Sequence, residues 1–125
     1  MKTHEEAILD FFSNMDIEML DNFLDMPTYQ DLPKGTFIQK LEVAFRKLQK
    51  AGDTELNRHP GICKGGCENK GSRGYAFIGN QSGLQMNIVV LVKDGRVTDM
   101  FDCFGLSSSK APKGCKKVFI NDLFG

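Results

Sequence analysis

The order of apolar and polar positions divides the 125-residue chain into a helical first part and a stranded second part. Ile8, Phe11, Phe12 and Met15 recur at helical spacing and leave one apolar face. Thr3 and Glu6 precede them as a capping box, in which a hydroxyl and a carboxylate satisfy free amides at a helix start. Asn14-Met15-Asp16 reads as a break, and Asp16 caps a second short helix. Ile17, Leu20, Phe23 and Leu24 form its buried stripe, and Pro27 closes it. Residues 27–35 hold two prolines and one glycine among polar side chains and read as a loop. The clearest helix follows. Thr36 and Gln39 make a second capping box, and Phe37, Leu41, Ala44, Phe45 and Leu48 fall on one side, the pattern of core packing. Arg46, Lys47 and Lys50 suit the negative end of the helix dipole, and Gly52 supplies the stop.

After Gly52 the period changes to two. Residues 54–59 are expected as a short strand, followed by a glycine-rich loop from Pro60 to Cys67. Residues 73–80 read as a strand, Gln81-Ser82-Gly83 as a turn, and residues 84–93 as the longest apolar run. Asp94-Gly95 is a two-residue hairpin signal, from which residues 97–104 return. A serine-containing loop over 107–114 and a last strand over 116–121 complete the chain. Helices first and an antiparallel meander second predict an α+β fold, with N-terminal helices packed on a curved sheet of four to five strands. The length predicts a single domain over residues 1–125.

The hairpin signal implies a register. Val92 opposes Val97, Val90 opposes Asp99, Ile88 opposes Phe101 and Met86 opposes Cys103, all on the face expected to lie against the helices. Asp99 would then be a carboxylate in apolar surroundings, raised in pKa by desolvation and fit for general base chemistry. The plainer alternative is an Asp at the edge of the face, or a register displaced by one residue. The opposite face carries Leu91, Val89, Met100 and Phe104, which suggests a homodimer surface if those side chains are exposed.

Composition narrows the picture without naming a reaction. A 41% hydrophobic and 26% charged content with ten Phe excludes disorder, collagen and coiled coil. No apolar run reaches membrane-spanning length, and the acidic start from Met1 to Glu6 does not resemble a secretory leader, so a reducing cytoplasm is the expected setting. The zero net charge hides a polarity, because residues 1–33 carry eight acids and one base. Lys64, Lys70, Arg73, Lys110, Lys113, Lys116 and Lys117 gather in sequence around the cysteines. Those loops lack the interleaved aromatics of single-strand binders, so solvated loop chemistry is favoured over a nucleic-acid surface.

Four cysteines in such a setting argue for thiols or metal before disulfides. Cys63 and Cys67 enclose Lys64-Gly65-Gly66, a spacing tight enough to aim two sulfurs inward. With Cys103 and Cys115 they make a closed structural zinc site conceivable, with His59 as an alternative ligand. Independent packed thiols and a redox pair activated by Lys64 are the competing readings.

The helix-helix-helix-meander order with its Asn14-Met15-Asp16-Ile17-Glu18 break resembles the cystatin-like superfamily that includes nuclear transport factor and ketosteroid isomerase relatives. Cys63-x3-Cys67, then Gly74-Tyr75-Ala76-Phe77-Ile78-Gly79-Asn80-x-Ser82, then Asp94-Gly95-x-Val97-x-Asp99-Met100-Phe101-x-Cys103 resembles a group of small uncharacterised bacterial proteins. In enzymes of the superfamily a carboxylate projects from the concave sheet face into an apolar pocket, a role the resemblance implies for Asp99, with Tyr75 as the oxyanion donor. No second acid beside Tyr75 is evident in the sequence. Three classes follow: a non-enzymatic domain binding a small ligand or partner protein, with or without cysteine-held zinc; a small enzyme using Asp99; and a thiol-based redox or metal-sensing module.

Overall fold

The computed structural model describes residues 2–63, 72–103, 106–107 and 117–121, with 62–63 and 106–107 described by their backbone alone. Helix α1 (His4–Ser13) starts where Thr3 Oγ1 accepts the Glu6 amide at 3.1 Å, and it buries Ile8, Leu9 and Phe12. The chain breaks at Met15, which adopts a left-handed φ of 53°, and Asp16 caps α2 (Ile17–Phe23) by accepting the Met19 amide at 3.2 Å. Both boundaries lie where the sequence placed them.

The segment read as a loop contains a miniature hairpin, β1 (Thr28–Tyr29) and β2 (Leu32–Pro33). Its two-residue turn holds Gln30 and Asp31 at φ values of 53° and 59°, the left-handed pair a tight hairpin needs. Neither residue is a glycine, which is why the turn was illegible. Helix α3 (Lys34–Lys50) follows without a break, so it starts two residues before the expected Thr36 cap. Pro33 is its N-cap, with no side-chain cap, and the Lys34 amide is already taken by Pro27 O at 3.0 Å. The other end closes as expected. Gly52 at φ 102° donates to Gln49 O at 3.0 Å, while Asp53 N donates to Leu48 O at 3.1 Å.

Strands β3 (Leu56–Cys63), β4 (Ser72–Gly79), β5 (Gln85–Lys93) and β6 (Arg96–Asp102) form an antiparallel meander in the order β6-β5-β4-β3. A two-residue strand, β7 (Leu106–Ser107), pairs with the far end of β3. Among the described residues, three helices and an antiparallel meander make the fold α+β. β3 runs four residues further than expected, taking Pro60 to Cys63 out of the glycine-rich loop. Among the described residues of the expected last strand no strand forms. Over 117–121 only an isolated parallel bridge joins Lys117 to Gln85.

One face of the sheet meets the helices. Phe77, Met86, Ile88, Val90, Val97 and Met100 pack with Phe12, Leu41, Phe45 and Leu48 in one core, where the Phe12 ring lies 4.3 Å from that of Phe77 and 5.1 Å from that of Phe45. A smaller cluster of Ala76, Val89 and Cys103, with Phe101 against it, lies on the other face. The β6 edge is covered rather than open. Val97 N donates to His4 Nδ1 at 3.0 Å, and the opposite ring nitrogen donates to Phe23 O at 2.8 Å. One imidazole thus ties α1 and α2 to the edge strand and removes an amide that another chain would pair with. No helix among the described residues is long and apolar enough to cross a membrane.

Candidate functional site

The position of Asp99 is decided by a bulge. Lys93 pairs with Arg96 and Val92 with Val97, as the Asp94-Gly95 turn requires, but Leu91 pairs with Asp99 instead of Thr98. The extra residue slips the register by one. Met100 therefore takes the core-facing position and is fully buried, while Asp99 turns to the opposite face with Leu91, Val89 and Phe101. The expected pairs Val90–Asp99, Ile88–Phe101 and Met86–Cys103 are replaced by Val90–Met100 and Ile88–Asp102, with Cys103 N on Asn87 O at 2.9 Å. Asp99 is half-buried rather than enclosed by apolar side chains. Its Oδ1 accepts the amides of Gln30 at 3.0 Å and Met100 at 2.8 Å. With Gln30, Asp31, Phe101 and Asp102 it lines an open depression of about 260 Å³.

The buried acid on β6 is Asp102, which the displaced register turns inward. Its carboxylate accepts Gln30 Nε2 at 2.9 Å, Ile120 N at 2.8 Å and Asn121 N at 2.9 Å, while its own amide donates to Gln30 Oε1 at 3.2 Å. The Gln30 side chain thereby stands in for a neighbouring strand. The same carboxylate holds 117–121, which explains why that segment needs no ladder partner.

Tyr75 lies on the helix side of the sheet, away from Asp99. Its hydroxyl donates to Glu5 Oε2 at 3.1 Å, and Arg73 Nη1 donates to Glu5 Oε1 at 3.1 Å. The Arg58 guanidinium stands 5.9 Å from the Tyr75 ring centroid and pairs with Asp10 at 3.6 Å. Burial pushes the Tyr75 phenol above its ordinary value, and the Glu5 charge adds to the rise. The acid beside Tyr75 is thus Glu5, only 7% exposed, from a helix 70 positions earlier. In the sequence it reads only as an acid near a helix start.

Three of the metal candidates, His59, Cys63 and Cys103, have described backbone positions on the sheet. His59 and Cys63 share a face of β3 but stand four residues apart on an extended strand, roughly 13 Å. His59 pairs with Ala76, Ala76 with Asn87, and Asn87 bonds Cys103, so His59 and Cys103 sit in one cross-strand row three strands apart, roughly 14 Å. Cys63 and Cys103 are three strands apart as well. Zinc bonds of roughly 2.0–2.3 Å cannot bring His59 and Cys103 into one site. Cys67, Cys115 and the Cys63 side chain lie outside the described residues, as do Lys64, Lys70, Lys110, Lys113 and Lys116. Among the described residues no group of three His, Cys, Asp or Glu side chains is placed to hold a metal ion.

The Gly79-Asn80-x-Ser82 sequence has a structural task. Asp53, buried just after α3, accepts Gln81 N at 2.8 Å, Ser82 N at 2.7 Å and Ser82 Oγ at 2.6 Å. Asn80 Oδ1 accepts Thr54 N at 3.0 Å and its Nδ2 donates to Thr54 Oγ1 at 2.9 Å. Burial pushes the Asp53 carboxyl up, but the Ser82 and Gln81 donors outweigh it and hold the group below its ordinary value. A Cβ on Gly79 would stand 2.1 Å from Asp53 Oδ2, so only glycine fits beneath that carboxylate.

Of the side chains expected on a homodimer surface, two are buried and Leu91 is half-buried. Val89 is 1% exposed and Met100 is buried in the core; Phe104 lies outside the described residues. The one exposed large apolar side chain among the described residues is Val43, 52% exposed. It lies in a groove of about 250 Å³ between α3 and the 117–121 segment, lined by Gln39, Lys40, Val43, Ala44, Lys47, Phe119 and Ile120. With the geometry in place, comparison with known proteins adds no family: no protein-family model, no curated protein and no solved structure matches the chain.

Proposed function

We propose that the protein is a non-enzymatic binding domain, cystatin-like in the order of its elements, whose working surface is the groove along α3. The observation that carries this reading is Val43, an apolar side chain left in solvent at the centre of a concave surface while other large apolar side chains of the described chain are at least half-buried. A small ligand and a partner protein are both compatible with the sequence. The open shape and modest volume of the groove favour the protein, because small-molecule sites enclose most of their ligand. The test is to place photoreactive benzoylphenylalanine at Val43 and, as a control, at exposed Lys93. Discrete cross-linked products in the native host from position 43 but not 93 are expected. The same product pattern from both positions would refute the reading.

A second reading, an enzyme using Asp99, is favoured by the depression that Asp99 shares with Gln30, Asp31 and Asp102. The carboxylate there already serves two amides and has Tyr75 on the other side of the sheet, which weakens the isomerase analogy. Cysteine-held zinc would accompany the binding role rather than replace it.

A further inference from the structure

His4 stands where α1, the end of α2 and the edge strand β6 meet, and its partners fix its chemistry. The Val97 amide can only donate, so Nδ1 offers it a lone pair at 3.0 Å. The Phe23 carbonyl can only accept, so Nε2 carries the proton that reaches it at 2.8 Å. Only the neutral imidazole protonated on Nε2 satisfies both. The Phe23 ring stacks on the imidazole, 6.2 Å away and 20° from parallel, and holds it in that orientation. Val97 is fully buried, so water does not stand in for the ring nitrogen as the partner of its amide.

The charged side chains that face the ring are Asp25, just after α2, and Arg96, just before Val97 on β6, and these two pair with each other. The Arg96 hydrogen bond foremost, with a contribution from His4, holds the Asp25 carboxyl below its ordinary value. Other charges on the surrounding elements are engaged elsewhere or exposed. On α1, Glu5 serves Tyr75 and Arg73, Glu6 is exposed, and Asp10 meets Lys2; on α2, Asp21 meets Lys34; on β5, Lys93 is exposed opposite Arg96. The Asp25–Arg96 pair is neutral as a whole, so what protonation of the ring alters is its own two hydrogen bonds.

We infer that His4 is a proton-operated clasp on the edge of the sheet. When Nδ1 takes up a proton, its N–H meets the Val97 N–H, donor against donor, and the buried amide loses its acceptor. The Nε2 bond to Phe23 O survives, so the ring stays with α2 and lets go of β6. An edge amide that the neutral ring covers thereby becomes available to another strand in acid. The other end of the same edge has no such device. There Asp99 Oδ1 accepts the Gln30 amide and Gln30 Oε1 accepts the Asp102 amide, with no histidine between them. The clasp is independent of the groove along α3.

The test uses the full chain labelled with nitrogen-15. Imidazole nitrogen shifts give the tautomer and protonation of His4, and amide hydrogen exchange gives the protection of Val97, from about pH 8 to about pH 5. The Nε2–H tautomer is expected at the upper end. Val97 protection, corrected for the intrinsic exchange rate, should fall at least about tenfold as the ring is protonated. The Asp102 amide should keep its protection throughout. In His4→Asn, where Oδ1 replaces Nδ1 as an acceptor that takes no proton in this range, Val97 protection should no longer depend on pH. In His59→Gln the dependence should persist, which assigns it to His4. An Nδ1–H tautomer at the upper end, a ring that stays neutral to the lower end, or Val97 protection unchanged on protonation overturns the inference. So does a pH dependence that survives His4→Asn or disappears in His59→Gln. Loss of Asp102 protection in step with Val97 overturns it too, because the whole edge would then open without the clasp.

Discussion

Gly79→Ala is the substitution whose effect the structure sizes most directly. In an ordinary strand interior, replacing glycine by alanine stabilises a protein by about 0.5–1 kcal/mol, because the unfolded chain loses freedom. At Gly79 the sign reverses. The new Cβ would sit 2.1 Å from Asp53 Oδ2, 2.5 Å from Cγ and 2.7 Å from Oδ1, so the carboxylate must move by roughly 1 Å or more to reach ordinary contact. That displacement breaks the bonds from Gln81 N, Ser82 N and Ser82 Oγ. Hydrogen bonds to a charged group contribute about 1.5–3 kcal/mol each, and the amides of a surface turn recover part of this from water. A net loss of about 3–5 kcal/mol follows, within the range of the most damaging single substitutions. Urea unfolding followed by circular dichroism measures it, in a double-mutant cycle with Asp53→Ala. Removing the carboxylate makes room for the Cβ, so Gly79→Ala should cost little or nothing in that background. An equal cost with and without the carboxylate would falsify the steric account.

Further outcomes follow from the same contacts. Because the folded Asp53 carboxyl lies below its ordinary value of 3.8, its stabilisation is complete above that pH and is lost as pH falls through the lower folded value. The acid limb of a stability–pH curve should therefore flatten in Asp53→Ala relative to wild type. Burial raises the Tyr75 phenol, so ultraviolet titration of the native protein should show it ionising above 10.0, and Glu5→Gln should bring it down while leaving Tyr29 in place. The stability tied to that phenol is present below about 10 and is lost as pH rises through the folded value. Asp102→Ala should cost about 2–4 kcal/mol and release the 117–121 segment, seen as loss of hydrogen-exchange protection at Ile120 and Asn121. Elemental analysis of protein purified without metal affinity tests the cysteine-held zinc: near one zinc per chain, lost together with stability in Cys63→Ser, is expected of a site, whereas no metal with four free thiols would retire it.

The helical part of the fold was legible because its signals are local. A helix face needs only the spacing of Phe37, Leu41, Ala44, Phe45 and Leu48, and these are the residues buried on α3. Asp16 as a cap, Gly52 as a stop and Asp94-Gly95 as a turn act through their own or neighbouring backbone, and each stands where the sequence puts it. The candidate site was less legible, for a physical reason. Strand alternation names two faces, but a single inserted residue exchanges them, and nothing in Val97-Thr98-Asp99 announces the bulge. From that point Met100 goes into the core, Asp99 moves out to the Gln30 turn, and Asp102 becomes the buried acid.

Contacts between distant segments were decided by the tertiary structure alone. Glu5 meets Tyr75 and Arg73, His4 bridges Phe23 and Val97, and Gln30 serves the edge of β6, each across a long stretch of chain. The separation of His59, Cys63 and Cys103 has the same origin, since their spacing in sequence carries no information until the strands are paired. The α+β order, the helix faces and the tight turns could be read from local residue patterns, because backbone geometry and burial within one element suffice for them. Which carboxylates are buried, and which apolar side chain stays in solvent at Val43, depended on how the elements pack.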